Sequence, residues 1–288
     1  MIFKATRSFV PFVTRGAPVA GIVTLAGLML SLPATAETKV SIAGDYNLSI
    51  AGIPFAKAKM NMSIKNGIYS ARTSIKTWGV AKLVVDSKTF AEASGRVNAS
   101  RVRPAKYKLD SSARDFSLAV RMNMSGNRVR NLTAEPPLRK LPDRIEVTSR
   151  DKRNILDPLS AAIVPYTGKN GEIRKDACSQ RVPIFDGWTR YDIKLYFRRF
   201  EEVTSEGFAG RAAVCGARWV PVAGHRPNKK TVVYLRENKN LEVWLVRMPE
   251  NDFLLPYRIA IGTKSGTMLI KNKSMEISGS GQKHAARQ

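Results

Sequence analysis

Two cysteines, Cys178 and Cys215, and two histidines, His225 and His284, are all this chain of 288 residues has for thiolate and imidazole chemistry. A cysteine nucleophile needs a base within hydrogen-bond reach. His225 is the candidate, because His284 sits in a polar terminal stretch. The competing reading is a single disulfide between the two cysteines. Asp186 is the other residue with catalytic potential. It stands in Phe185-Asp186-Gly187-Trp188, and as a general acid it needs a second carboxylate roughly 5–9 Å away. Yet Asp-Gly between two apolar stretches is also the composition of a hairpin turn. Val182 and Ile184 form the first stretch, and Tyr191, Ile193, Leu195 and Phe197 the second. No two His or Cys residues have chelating spacing, so no metal is expected. No glycine-rich phosphate loop and no Gly-x-Ser-x-Gly elbow occurs, and no cofactor is expected.

The compartment helps to choose between these readings. Lys4, Arg7 and Arg15 precede an apolar run from Ala17 to Pro33, and Ala34-Thr35-Ala36 follows. That is the layout of an export signal cleaved after Ala36. An uncleaved membrane anchor is the alternative. Cleavage leaves 252 residues, and the absence of a cysteine after the apolar run argues against a lipid-modified terminus. Two cysteines in an exported chain most often pair. Closing such a loop stabilises by roughly 4 kcal/mol on the chain-entropy model. The expected location is therefore the periplasm, with Cys178 and Cys215 bonded and no catalytic residue assigned.

The net charge is +25, and removing three signal cations leaves +22. Nucleic acid is the usual partner of so basic a chain, but export removes it from reach. Envelope lipid, lipoprotein or a cell-wall component remains. Peripheral membrane contact fits the charge, and the oligomeric state is left open.

The elements that would position these groups repeat with period two. Ala58, Met60, Met62 and Ile64 share one face, with Lys57, Lys59 and Lys65 on the other. Asn66-Gly67 then signals a hairpin. Phe116, Leu118, Val120, Met122 and Met124 share a face before Gly126-Asn127. Further strands are expected at 39–50, 101–109, 143–148, 189–200, 211–222, 231–236, 241–248, 258–263 and 267–277. One short helix of about two turns is expected at Asp157–Val164, with Asp at its cap and Pro after it. The stretch 78–93 is ambiguous. Pro136-Pro137 and Leu141-Pro142 mark a long loop. The expected fold is all-β: one antiparallel curved sheet, a β-spiral or incomplete barrel, over 37–278, with a disordered tail at 279–288.

In such a sheet Met60, Met62, Phe116, Leu118, Val120 and Met122 would line an apolar groove. His225, Arg226, Lys229 and Lys230 form a basic loop that could hold an anion. Leu156-Asp157-Pro158-Leu159-Ser160-Ala161, Cys178, Phe185-Asp186-Gly187 with Arg190-Tyr191-Asp192, and Pro221-Val222-Ala223-Gly224-His225-Arg226 resemble an uncharacterised family of exported alphaproteobacterial proteins, domain of unknown function 3108. Val214-Cys215, Val243-Trp244, Pro256 and Thr263-Lys264-Ser265-Gly266 continue the resemblance. The family is similar in style to periplasmic β-spiral envelope-integrity proteins. The resemblance supports the disulfide and the all-β fold and implies no catalytic residue. The expected function is a non-enzymatic envelope role, binding an amphipathic or anionic component and supporting envelope integrity. The alternatives are a scaffold contacting peptidoglycan or an envelope complex and, further off, an envelope hydrolase.

Overall fold

Residues that alternate apolar and polar with period two can bury one face only by pairing edge to edge, and this chain does so in one long meander. The computed structural model describes residues 39–79, 81–168, 172–248 and 253–279, all within the unit Glu37–Gln288. The expected export signal, 1–36, lies outside the described residues. So does the expected tail, except Gly279.

The first half contains β1 (Lys39–Ile50), β2 (Ile53–Lys65), β3 (Ile68–Thr77), the one-turn helix α1 (Ala81–Val84), β4 (Lys88–Asn98), β5 (Arg101–Ala113), β6 (Phe116–Ser125) and β7 (Arg128–Glu135). The second contains β8 (Val164–Pro165), β9 (Arg181–Phe185), β10 (Arg190–Ser205), β11 (Phe208–Ala223), helix α2 (Lys230–Glu237), β12 (Leu241–Arg247), β13 (Phe253–Thr263) and β14 (Gly266–Gly279). These strands form one 14-stranded sheet in the order β7-β6-β5-β4-β3-β2-β1-β14-β13-β12-β11-β10-β9, with β8 on β13. Pairing of β1 with β14, from Val40↔Gly279 to Ile50↔Met268, joins the two halves. Gly279 therefore ends a strand and does not open a tail.

Hairpin chemistry sets the register. Asn66 and Gly67 both have positive φ, 50° and 73°, as their two-residue turn requires, and Lys65 faces Ile68. Gly126 and Asn127 do the same between β6 and β7.

The sheet is not closed into a barrel, because among the described residues β7 and β9 do not pair. Each bonds instead to one irregular segment. Val129 donates its N–H to the Lys152 carbonyl (3.0 Å), and Ile155 to the Asn127 carbonyl (3.1 Å). Leu156 donates to the Pro183 carbonyl (2.8 Å), and Phe185 donates back to Leu156 (2.9 Å). Residues 152–156 thus tie both open edges together.

The principal core lies on the concave side. Ile42, Met62, Tyr69, Val120, Met122, Ile155, Ile163, Phe185, Val214 and Trp244 are all buried there. In the second half the sheet is covered on both faces, so Ala212–Ala217 is buried without alternation. The second cover is the segment carrying Tyr166, Ile173, Ala177 and Cys178. It is pinned by the Cys178–Cys215 disulfide, whose Cα atoms are 5.3 Å apart. A disulfide and not a thiol nucleophile is therefore what the two cysteines form.

Three expected elements differ. Asp157–Val164 is only a 3-10 turn at Ser160–Ala162. The reason is that Val164 and Pro165 are drawn into β8 by Leu254 and Phe253. Thr231–Arg236 is helical despite its valines. Val232 and Val233 both donate to the Lys229 carbonyl, at 2.8 and 3.0 Å, so this corner between β11 and β12 turns as helix. Residues 143–148 are irregular, and Ile145 bonds through its backbone to His225 and Gly224 without forming a strand. The ambiguous stretch 78–93 resolves into α1 and the start of β4.

Asp157 nevertheless caps its turn. Its Oδ1 accepts from Leu159 N (3.1 Å) and Ser160 N (2.9 Å), and its Oδ2 from Ser160 Oγ (2.5 Å). Ser160 Oγ also pairs with Tyr69 Oη at 2.6 Å, tying the turn to β3. Burial pushes the Asp157 carboxyl up to about 6 against the opposing pull of these bonds. Unfolded, it should titrate near 4. The folded state therefore holds this proton more tightly. The stability it contributes is complete below pH ~4 and is lost as pH rises through about 6, for a total of about 3 kcal/mol. Chemical denaturation across pH 3.5–7 should show wild type losing stability relative to Asp157→Asn over that window. A pH-independent difference would refute the assignment.

Candidate functional site

The turn after β9 shows what Phe185-Asp186-Gly187-Trp188 does. Asp186 Oδ1 accepts from Trp188 N (2.9 Å) and Thr189 N (2.6 Å), and its Oδ2 from Thr189 Oγ1 (2.6 Å). Every one of these is a turn bond. The carboxylate expected as a possible acid is thus committed to backbone geometry. Gly187 has φ +107° and packs on β6. A Cβ there would lie 2.8 Å from Val120 Cγ2. Trp188 Nε1 donates to the Pro136 carbonyl at 2.8 Å. The turn therefore fastens β9 to β6 and to the long loop after β7.

These contacts overturn the expected groove. Met62, Val120 and Met122 are 3%, 0% and 1% exposed and sit in the packed core. Met60 is half-buried between two core clusters. Phe116 is 55% exposed and lines, with Leu118, a separate cavity of about 900 Å³ at the sheet's end. The six residues share a face but not a groove, because the Gly187 turn and the 155–163 segment fill the concavity they face.

Two of the four residues of the expected anion loop are engaged elsewhere. Arg226 Nε lies 2.8 Å from Asp143 Oδ2. Burial pushes His225 down, toward its neutral form, and its ring packs edge-on to Trp219. Lys229 and Lys230 are exposed at the cap and first residue of α2, where the positive end of the helix dipole adds to their attraction for an anion.

A cavity of about 420 Å³ opens instead at the seam between the two sheet edges. Leu132 of β7, Phe185 of β9 and Trp188 form its apolar side, with Leu138, Leu141 and Val147 from the loop. Arg139, Lys140, Arg144 and Lys152 line it too, against one acid, Glu146. Among the described residues no carboxylate lies within ion-pair distance of those four cations. Arg144 Nη1 donates to the Gly224 carbonyl (2.7 Å), while its buried Nε has no partner. The volume falls within the ~300–1,000 Å³ typical of small-molecule sites. An apolar wall with uncompensated cations suits an apolar body carrying a negative head. The one sequence signal for it is Leu138-Arg139-Lys140-Leu141, which reads as loop because prolines flank it.

The Tyr69–Ser160–Asp157 chain resembles catalytic wiring in composition, but all three residues are 0% exposed, so substrate has no access to it. Among the described residues no group of three or more His, Cys, Asp or Glu is placed to hold a metal.

The geometry defines a class: a single open antiparallel sheet, strapped across its seam. A family profile described as a protein of unknown function (DUF3108) matches residues 45–272, and the chain belongs to that family. The chain is also similar to the crystal structure of a β-barrel-like protein of domain of unknown function DUF1849 from Brucella abortus. That likeness has 7% identity and a TM-score of 0.46, and covers 84% of this chain and 98% of the other. No curated protein matches.

Gly187→Ala should destabilise by about 1–3 kcal/mol through overpacking against Val120. Adding Val120→Ala should recover part of the loss in a double-mutant cycle of urea midpoints. Strictly additive losses would show that the turn does not pack on β6 as described.

Proposed function

We propose that the protein is an exported, non-enzymatic envelope component whose seam cavity binds an anionic amphipath such as a lipid or a lipid-modified protein segment. The observation that carries this reading is the lining itself: six apolar side chains beside Arg139, Lys140, Arg144 and Lys152, with Glu146 the one opposing charge. An acyl chain against Leu132, Phe185 and Trp188 would lose water contact, and each buried methylene contributes about 0.8 kcal/mol. The cations would hold the head group at the rim, and their charge would speed its capture. The disulfide supports the oxidising compartment that export provides. Nucleic acid is not a partner in this reading.

Native mass spectrometry of protein taken from the periplasm tests export and binding together. The expected species begins at Glu37 and carries an adduct of lipid mass. A chain beginning at Met1 would contradict the processing. Saturable titration with a fluorescent fatty acid should then weaken roughly tenfold, about 1.4 kcal/mol, in Arg139→Glu or Lys140→Glu. No saturable binding by the folded wild type would sink the amphipath reading and leave the scaffold reading ahead.

A further inference from the structure

On the face opposite the core, Lys57, Lys76 and Lys88 of β2, β3 and β4 lie directly across from one another, as Lys57↔Lys76 and Lys76↔Lys88. Their neighbours Ala56, Ala58 and Thr77 are buried on the other face. Strands about 4.8 Å apart place the first and third lysine backbones within ~10 Å. Like charges directly opposite destabilise a sheet, and a physiological Debye length of ~8 Å does not fully screen neighbours this close. Among the described residues no carboxylate lies within ion-pair distance of any of the three.

This row runs into a cavity of about 650 Å³, lined by Lys57, Lys59, Lys76, Lys82 and Lys273 with Asp45 the one acid. Asp45 is already paired with Lys59 at 3.1 Å. Trp78, 46% exposed, borders the same cavity, and Lys57 Nζ sits 4.1 Å from its ring centroid. That contact holds the ammonium against a surface while leaving the indole reachable by a ligand. The neighbouring cavity shares Ser74 and Lys76, takes in Lys88 at the end of the row, and carries Asp110, Asp115 and Glu135. The cationic stretch is therefore bounded, from Lys273 to Lys88.

We propose that this lysine row with Trp78 is a second ligand site, for a group bearing two or more phosphates. Lysine acts on phosphate as a point charge. Opposed lysines on adjacent strands need a ligand with more than one negative charge, since a single phosphate cannot relieve the whole row. The seam cavity is built from other strands, so this site stands or falls separately.

The test follows tryptophan fluorescence at about 0.15 M salt with two probes, tripolyphosphate and vesicles containing cardiolipin, whose head group carries two phosphates. Saturable change is expected with at least one of them. Tripolyphosphate alone assigns a soluble phosphate, and vesicles alone assign a clustered head-group surface. Lys76→Glu should weaken the response at least tenfold, and Trp78→Phe should remove the signal while binding persists by calorimetry. Arg139→Glu, at the seam, should change neither. The proposal is overturned if sodium chloride or sulfate of equal ionic strength gives the same response, if neither probe saturates, or if folded Lys76→Glu binds as wild type does.

Discussion

An open sheet has two edges, and each is a row of backbone donors and acceptors that must find partners or water. Here β7 and β9 are those edges, and everything in the second half of the chain is arranged around their failure to meet. The segment 152–156 supplies the missing partners. It bonds to Asn127 and Val129 on one side and to Pro183 and Phe185 on the other. Once that strap is in place, the chain that follows enters the concavity. Ile155, Ile163 and the Asp157–Ser160 turn then fill the space between β3, β6 and β9. The seam cavity is the part of the gap left above that filling.

The disulfide acts on the opposite face. It fixes Cys178, with Tyr166, Ile173 and Ala177 beside it, against β11, β12 and β13, where Ala213, Leu245 and Leu254 would otherwise be exposed. A sheet covered on both sides explains why β11 and β12 read as apolar runs while β2 and β4 alternate. Asp192 fits the same frame. It is 1% exposed and bonded to both Arg181 and Arg190, which pins the short edge strand β9 to β10. Removing Arg190, the more buried of the two arginines, would leave the buried carboxylate short of a partner and cost more than the pair contributes.

Much of the fold was legible because its information is local. Lys39–Ile50 alternates and is a strand over those same residues. Asn66-Gly67 and Asp186-Gly187 name their turns through positive φ and side-chain caps. The misreadings have a common cause. Thr231–Arg236 has strand composition but lies at a corner where no strand is offered as a partner. Asp157-Pro158 begins a helix that β13 cuts short by taking Val164. The expected groove failed for a non-local reason as well. Phe116–Met124 does present one apolar face, yet the sequence does not show that Gly187 fills it. The seam cavity depends on contacts between residues more than forty apart, such as Leu132 and Phe185, which no periodicity reports. Of the opposed lysines only Lys57 was legible as an outward residue; Lys88 lay in the ambiguous stretch, and the alignment of the three is a matter of register across three strands.

The central claim is that residues 152–156 close the sheet, and amide hydrogen exchange at Val129, Ile155, Leu156 and Phe185 tests it most directly. The strap bonds hold both edges, so opening them requires loss of the surrounding core. The account predicts protection at these four amides close to that of Ala213 and Leu245 in the sheet interior. Exchange at rates typical of an exposed loop, with the interior strands still protected, would contradict it.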